Sequence, residues 1–411
     1  MTERRLAEHR ALVAAHLARM PVLDVALADA HGAMLAADAT APTNVPAMAT
    51  AAIDGYAVRT ADLVGVHPGA PVRLPVTHDV DFGPTAPAVL TPGTAMRIVS
   101  GASLPAGADA VVAFSAGQWS ERDGAAAQVV VSAPVAQGDH IRPAGYDALA
   151  GAHLLHAGTR LGSRHLAIAA AMGVTRLEVH PLPRVVVLAT GNELVARGPR
   201  RVRDVTGPLV ADMVREAGAH AYRVPPVPDE RRALRAAIED QLVRADVIIT
   251  TGGLSVGWDD TVVSVLQTLG DVERVEVALA PGGFHGVGRV AAGARDVPVL
   301  CLPGHPVSAL VAFEAYVRDA LRAMSGRDDA ERGFASVEAG VEFASVPGLA
   351  QAVPVWLEAG GSVGLRAIPV GDPTATPSLA QCAAAHGLVM VPEDAQAVRQ
   401  GAVVRCRVWD A

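Results

Sequence analysis

The chain has 411 residues, enough for two to four domains, and 51% of them are hydrophobic, ample to bury the cores of those domains. A net charge of −8 with no offsetting basic stripe speaks against nucleic-acid binding, and no apolar run reaches the roughly 18 residues of a membrane span. Cys301, Cys382 and Cys406 are scattered without a CxxC, against a disulfide framework or zinc site, and all 34 basic residues are arginine, which excludes a Walker-type phosphate loop.

The first twenty residues, MTERRLAEHRALVAAHLARM, read as a charged helix with Leu6, Leu12, Ala15 and Leu17 near one stripe. They lack the apolar block of a signal peptide, so a cytoplasmic protein is expected. From about residue 46 to 142 the chain turns to short β-type runs punctuated by Gly and Pro. There QVVVSAPV, after the Asp123–Gly124 turn, is expected to pair with AVVAFSA. A helix follows in SRHLAIAAAMG at 163–173. Next come three apolar strands, RVVVLAT (184–190), ADVIITTG (245–252) and VPVLCLPG (297–304), alternating with the helical PLVADMVREAG, DERRALRAAIEDQLVR and PVSALVAFEAYVRDALRAMSG. That alternation signals a doubly wound parallel sheet. The expected fold is multidomain α/β. It has a helical linker domain (1–45 and 143–177), a β-rich domain (46–142), a doubly wound domain (178–327) and a small C-terminal β domain (328–411).

Ligands of an open parallel sheet sit outside the carboxyl ends of its strands. The three loops leaving those ends carry Thr190, Gly191 and Glu193; Gly252, Gly253, Ser255, Gly257, Asp259 and Asp260; and Pro303, Gly304, His305 and Ser308, with Pro306 as the first helical residue. Glycine amides and helix N-termini favour an oxyanion. Carboxylates facing phosphate oxygens would repel them unless a hard cation such as Mg2+ lay between, which points to a phosphorylated ligand with a divalent ion. Glu193 and Asp260 are the expected Mg2+ carboxylates. Bland alternatives stand beside these roles: Asp259 or Asp260 as a helix cap, His305 as an N-cap loop residue, Ser308 as an ordinary first-turn residue, Glu193 as a surface acid. Neither glycine cluster reads GxGxxG, so no dinucleotide fingerprint is present.

AIDGYAVR (52–59), RIVSGASLPAGADAVV (97–112), IRPAGYD (141–147), ATGNEL (189–194), TTGGLSVGWDD (250–260), LPGHPVSA (302–309) and the tail SLAQCAAAHGLVMVP (378–392) occur in one order. In that order they resemble the molybdopterin molybdenumtransferase family, over nearly the whole chain. The resemblance implies an elongated homodimer of four-part subunits, with a site between the doubly wound domain of one subunit and the β-rich domain of the other. It implies binding of adenylylated molybdopterin, placement of molybdate on its dithiolene and release of AMP, with Mg2+ assisting. By the same resemblance Asp54, Asp147, Glu193 and Asp260 are the catalytic acids, and Ser100 stands where threonine is usual. Other cofactor-biosynthesis proteins or a molybdoenzyme are possible further partners.

The departures are equally specific. Where the family has KxxIKPGKP this chain has EVALAPGGF (276–284), so three lysines become Glu276, Ala280 and Gly283. Tyr146 interrupts GED, Trp258 follows SVG, and His305 and His386 replace asparagines. Losing three cations weakens the hold on molybdate and phosphate. The retained acids favour an active molybdenum insertase. The missing lysines favour a molybdopterin-binding paralogue that acts as carrier or scaffold for a molybdoenzyme. A different phosphoryl or nucleotide reaction on the same scaffold is a third reading.

Overall fold

Short apolar strands separated by helices organise the larger of two compact units, which holds the residues up to Leu23, Gly32–Ala36 and those from Glu178 onward. The structure, a computed structural model, describes residues 3–82, 88–120, 127–254, 261–328 and 333–409. In chain order the elements of the main sheet and its helices are β1 (Glu3–Arg4), α1 (Leu6–His16), β2 (Arg184–Thr190), α2 (Thr206–Glu216), β3 (His220–Val227) and α3 (Arg231–Leu242). They continue with β4 (Val247–Thr251), α4 (Thr261–Leu266), β5 (Gly270–Val277), β6 (Phe284–Ala292), β7 (Arg295–Leu302) and α5 (Pro306–Ala312). The strands line up as β1-β5-β6-β7-β4-β2-β3.

Side chains alternate across each strand, and the two faces of β2 show why helices cover both. Val185 and Val187 pack with Val210 and Val214 of α2 and Val307 and Val311 of α5, whereas Val186 and Leu188 pack with Leu234 and Ile238 of α3 and Val262 of α4. The N-terminal helix, expected with a linker domain, belongs to the first of these cores through Val13 and Leu17.

The sheet departs from an all-parallel plan. Strands β3, β2, β4 and β7 run parallel, but β6 is antiparallel to both β7 and β5. The reversal is made by a two-residue connection between Ala292 and Arg295, where Gly293 has φ 70°, a value suited to a tight hairpin turn. Beyond the sheet, Ala350–Ala359, Leu365–Pro369, Phe334–Ala339, Val403–Val408 and Gly387–Val391 pair in a closed ring, and Leu279–Ala280 adds alongside the first of them. This small barrel is fastened to the helix that follows α5 by buried charge: Arg407 Nη2 lies 2.7 Å from Asp319 Oδ1, and Arg407 Nε lies 3.5 Å from Glu314 Oε2.

The second unit, Asp24–His31 with Ala37–Leu177, is built on a six-stranded sheet. Its strand order is Gly117–Ser120, Gln128–Val131, Val72–Val80, Ala95–Ile98, Gly55–Val58, Ala110–Ala113. One expected pairing is corrected here. Gln128–Val131 pairs with Gly117–Ser120 and Val72–Val80, while Ala110–Ala113 pairs with Gly55–Val58. The chain turns at Phe114–Ala116, where Ala116 N donates to Ala113 O, so the hairpin is built from the next strand. The Asp123–Gly124 turn lies outside the described residues. Among the described residues no helix is long and apolar enough to cross a membrane.

Candidate active site

The carboxyl ends of β2, β3, β4 and β7 open into a cleft of about 480 Å³. It collects Thr190, Gly191, Glu193, Gly252, Gly253, Pro303 and Gly304 from the three loops. These loops meet through their backbones. A methyl group on Gly252, at φ 87°, would lie 2.5 Å from the carbonyl oxygen of Thr190, and one on Gly304 would lie 3.2 Å from Cα of Gly252. The first approach requires glycine, and the second leaves little room for anything larger.

The amides divide into two sets. Gly191 N donates to Val227 O at 3.1 Å and Gly252 N to Leu302 O at 3.3 Å, so both are engaged in holding the strand ends together. No described residue accepts from the amides of Gly253 and Gly304, which remain available to an anion. Ser308 is buried in the first turn of α5 behind the cleft, and His305 occupies the N-cap without a side-chain capping bond. Ser255, Gly257, Asp259 and Asp260 lie outside the described residues.

Three acids line the cleft: Glu193, Asp204 and Asp229. The exposed Glu193 folds its carboxylate over Gly191, where an added methyl would meet Oε1 at 2.5 Å. Asp229 follows β3 and was not anticipated. Its Oδ1 accepts from Thr190 Oγ1 at 2.7 Å and its Oδ2 from Asn192 N at 3.3 Å, fixing the rotamer of Thr190. Asp204 Oδ1 accepts from Gly207 N at 2.8 Å. Its Oδ2 is buried without a hydrogen bond, with Arg223 Nη1 at 3.7 Å. Thr206 Oγ1 donates to Gly304 O at 2.8 Å, and Arg203, Thr251 and Phe284 complete the wall.

In the other unit, Asp54 and Ser100 are brought together: Ser100 N donates to Asp54 Oδ1 at 2.7 Å, and Ser100 Oγ donates to Ala52 O at 3.1 Å. Asp147 is exposed, in the turn after Ile141–Arg142, the strand that pairs with Thr50–Ala51 just ahead of Asp54.

The acids and threonines lining the cleft offer hard oxygen donors, and one of them, Asp204 Oδ2, is buried without a hydrogen bond; this suits Mg2+. Among the described residues no three acids, histidines or cysteines cluster closely enough to cage an ion.

A glycine-floored cleft at the carboxyl edge of a doubly wound sheet, rimmed by acids, defines an α/β ligand-binding domain. Two family models match: the MoeA N-terminal region (domain I and II) over residues 4–173 and the probable molybdopterin binding domain over 186–323. Molybdopterin molybdenumtransferase 2 of Mycobacterium tuberculosis is 36% identical over 418 residues, covering 99% of each chain. The molybdopterin molybdenumtransferase of Bacillus subtilis is 34% identical over 299 residues, covering 72% of this chain and 68% of that one. Among solved structures, the molybdopterin biosynthesis MoeA protein of Pyrococcus horikoshii is similar over 100% of both chains, with a TM-score of 0.70 and 28% identity. The chain belongs to the molybdopterin molybdenumtransferase family, transferases of molybdenum cofactor biosynthesis.

Proposed function

We propose that this chain inserts molybdate into adenylylated molybdopterin and releases AMP. The observation that carries this reading is the convergence of Thr190, Glu193, Gly253 and Gly304 on one cleft, in a chain 36% identical over nearly its whole length to a molybdopterin molybdenumtransferase. The open amides of Gly253 and Gly304 receive phosphate oxygens. Asp229 holds the Thr190 hydroxyl in one orientation at the cleft wall. Glu193, with Asp260, holds Mg2+, which when bound neutralises phosphate charge and eases departure of AMP. Asp54, Ser100 and Asp147 complete the site from a second copy, in a cytoplasmic homodimer.

One observation favours a second reading. The segment with Glu276, Ala280 and Gly283 carries no cation, as a carrier that binds the pterin without inserting metal would allow. Complementation separates the two. Expression in a strain lacking its own molybdenumtransferase should restore molybdoenzyme activity. A folded, expressed protein that binds the adenylylated pterin yet gives no rescue at any molybdate concentration would leave the carrier reading standing.

A further inference from the structure

We propose that Arg203 is the anion-receiving cation of this cleft and takes a tetrahedral oxyanion of the substrate, either the phosphoryl group of the adenylylated pterin or molybdate. This inference deepens the insertion reading and rests on it for the identity of the ligand.

Three independent features point to Arg203. The first is charge. The described residues lining the cleft include Glu193, Asp204 and Asp229 and a single cationic side chain, Arg203. An oxyanion entering among these acids is repelled unless a cation meets it. Arginine meets it best, because its planar fork presents two parallel N–H donors to a tetrahedral oxyanion.

The second is availability. Arg203 forms no hydrogen bond or ion pair with any described residue, whereas Arg223 of β3 lies 3.7 Å from Asp204. An arginine beside three acids that is tied to none of them is held for something else.

The third is placement. The loop carrying Arg203 is tethered on both sides of it. Val202 N donates to Glu193 O at 2.9 Å, Gly207 N donates to Asp204 Oδ1 at 2.8 Å, and Thr206 Oγ1 donates to Gly304 O at 2.8 Å. The first and last of these bind the loop to Glu193 and to the Gly304 turn, so its backbone at Arg203 is held beside the cleft.

Another part of the lining accounts for the need. A methyl group on Gly283 would lie 3.5 Å from Pro303 Cγ, and the next residue, Phe284, lines the cleft with Pro303. The lysine-less segment therefore borders the same cleft, and the positive charge it lacks is supplied by Arg203, on another loop that lines that cleft.

The test uses the full-length protein and direct calorimetric titration, with AMP plus Mg2+ in one arm and sodium molybdate in the other. Arg203→Ala should weaken one of the two probes by roughly tenfold or more. Arg203→Lys should recover part of that loss, and the melting temperature should stay unchanged because the side chain is exposed. A loss confined to AMP assigns the phosphoryl group; a loss confined to molybdate assigns the metal oxyanion. Arg197→Ala, on the same loop but off the cleft, should bind both probes like the wild type. The proposal is overturned if Arg203→Ala binds both probes unchanged, if Arg197→Ala weakens them equally, or if the wild type binds neither. Failure of complementation with Arg203-dependent AMP binding intact would remove the insertion reading alone.

Discussion

Nδ1 of His285 lies 2.8 Å from the hydroxyl of Tyr316, and both side chains are sealed in the core against the ring of His9. Among the described residues, neither nitrogen of His9, nor Nε2 of His285, has a hydrogen-bond partner. Burial, reinforced by the charge of Arg4, lowers His9 to about 4, and burial with the neighbouring His9 lowers His285 to about 3. Both are therefore neutral in the native state, while the unfolded chain takes up protons near the ordinary value of 6.5. Stability is full above that value and falls as pH drops from it toward 4, by about 1.4 kcal/mol per pH unit per histidine. Urea midpoints measured from neutral to mildly acid pH should fall accordingly, and His9→Phe should flatten the slope. A flat wild-type profile would contradict this.

Thr190 and Asp229 act as one unit in the cleft, since the hydroxyl donates to the carboxylate at 2.7 Å. Asp229→Ala and Thr190→Val should each lower molybdenum insertion, and the double variant should be little worse than Asp229→Ala. Strictly additive losses in kcat/KM would show that the two side chains work separately.

Glu193 is exposed and makes no side-chain hydrogen bond with the described residues. Glu193→Gln should raise the Mg2+ concentration needed for half-maximal turnover and leave the melting temperature within a few degrees. Unfolding of the variant would make Glu193 a structural residue instead.

Asp319 joins Arg407 of the barrel at 2.7 Å and Arg10 of the N-terminal helix at 3.0 Å, with its own side chain only 7% exposed. Removing it takes one of two carboxylates from the buried Arg407 and leaves Glu314 Oε2 at 3.5 Å. Asp319→Ala should cost about 1–3 kcal/mol of stability, read from denaturant unfolding. A loss below about 1 kcal/mol would mean that water reaches Arg407.

Ala280→Lys should lower the molybdate concentration for half-maximal insertion, because the half-buried segment it belongs to borders the cleft. Gly283→Lys is the poorer probe: at φ 152° the backbone there strains any side chain. No change in molybdate dependence with Ala280→Lys would remove that wall from metal binding.

The strands β2, β4 and β7 were legible because each is buried on both faces and reads as an unbroken apolar run. Their loops followed directly, and with them Thr190, Glu193, Gly253 and Gly304. Strand β3 was missed for a physical reason. It is the sheet edge, half exposed, and holds Pro225 and Pro226, which an edge tolerates and a sequence pattern does not reveal as strand. Asp229 lies beyond its end and was lost with it. Asp204 and Arg203 were hidden differently, because no local periodicity tells that the segment after Glu193 turns back over the cleft; the tethers that bend it are long-range hydrogen bonds. The β6–β7 reversal did leave a mark, Gly293 between two β-type runs.

The floor of the cleft is main chain, with Gly304 against Gly252 and Gly252 against the carbonyl of Thr190. Such a floor has almost no side chains to exchange, and adding even one methyl group at Gly252 collides with backbone. Divergence within this architecture must therefore run through the rim, where Arg203 stands on an exposed loop. Ligand preference can drift by point substitutions in a surface loop while the folding core beneath it stays the same.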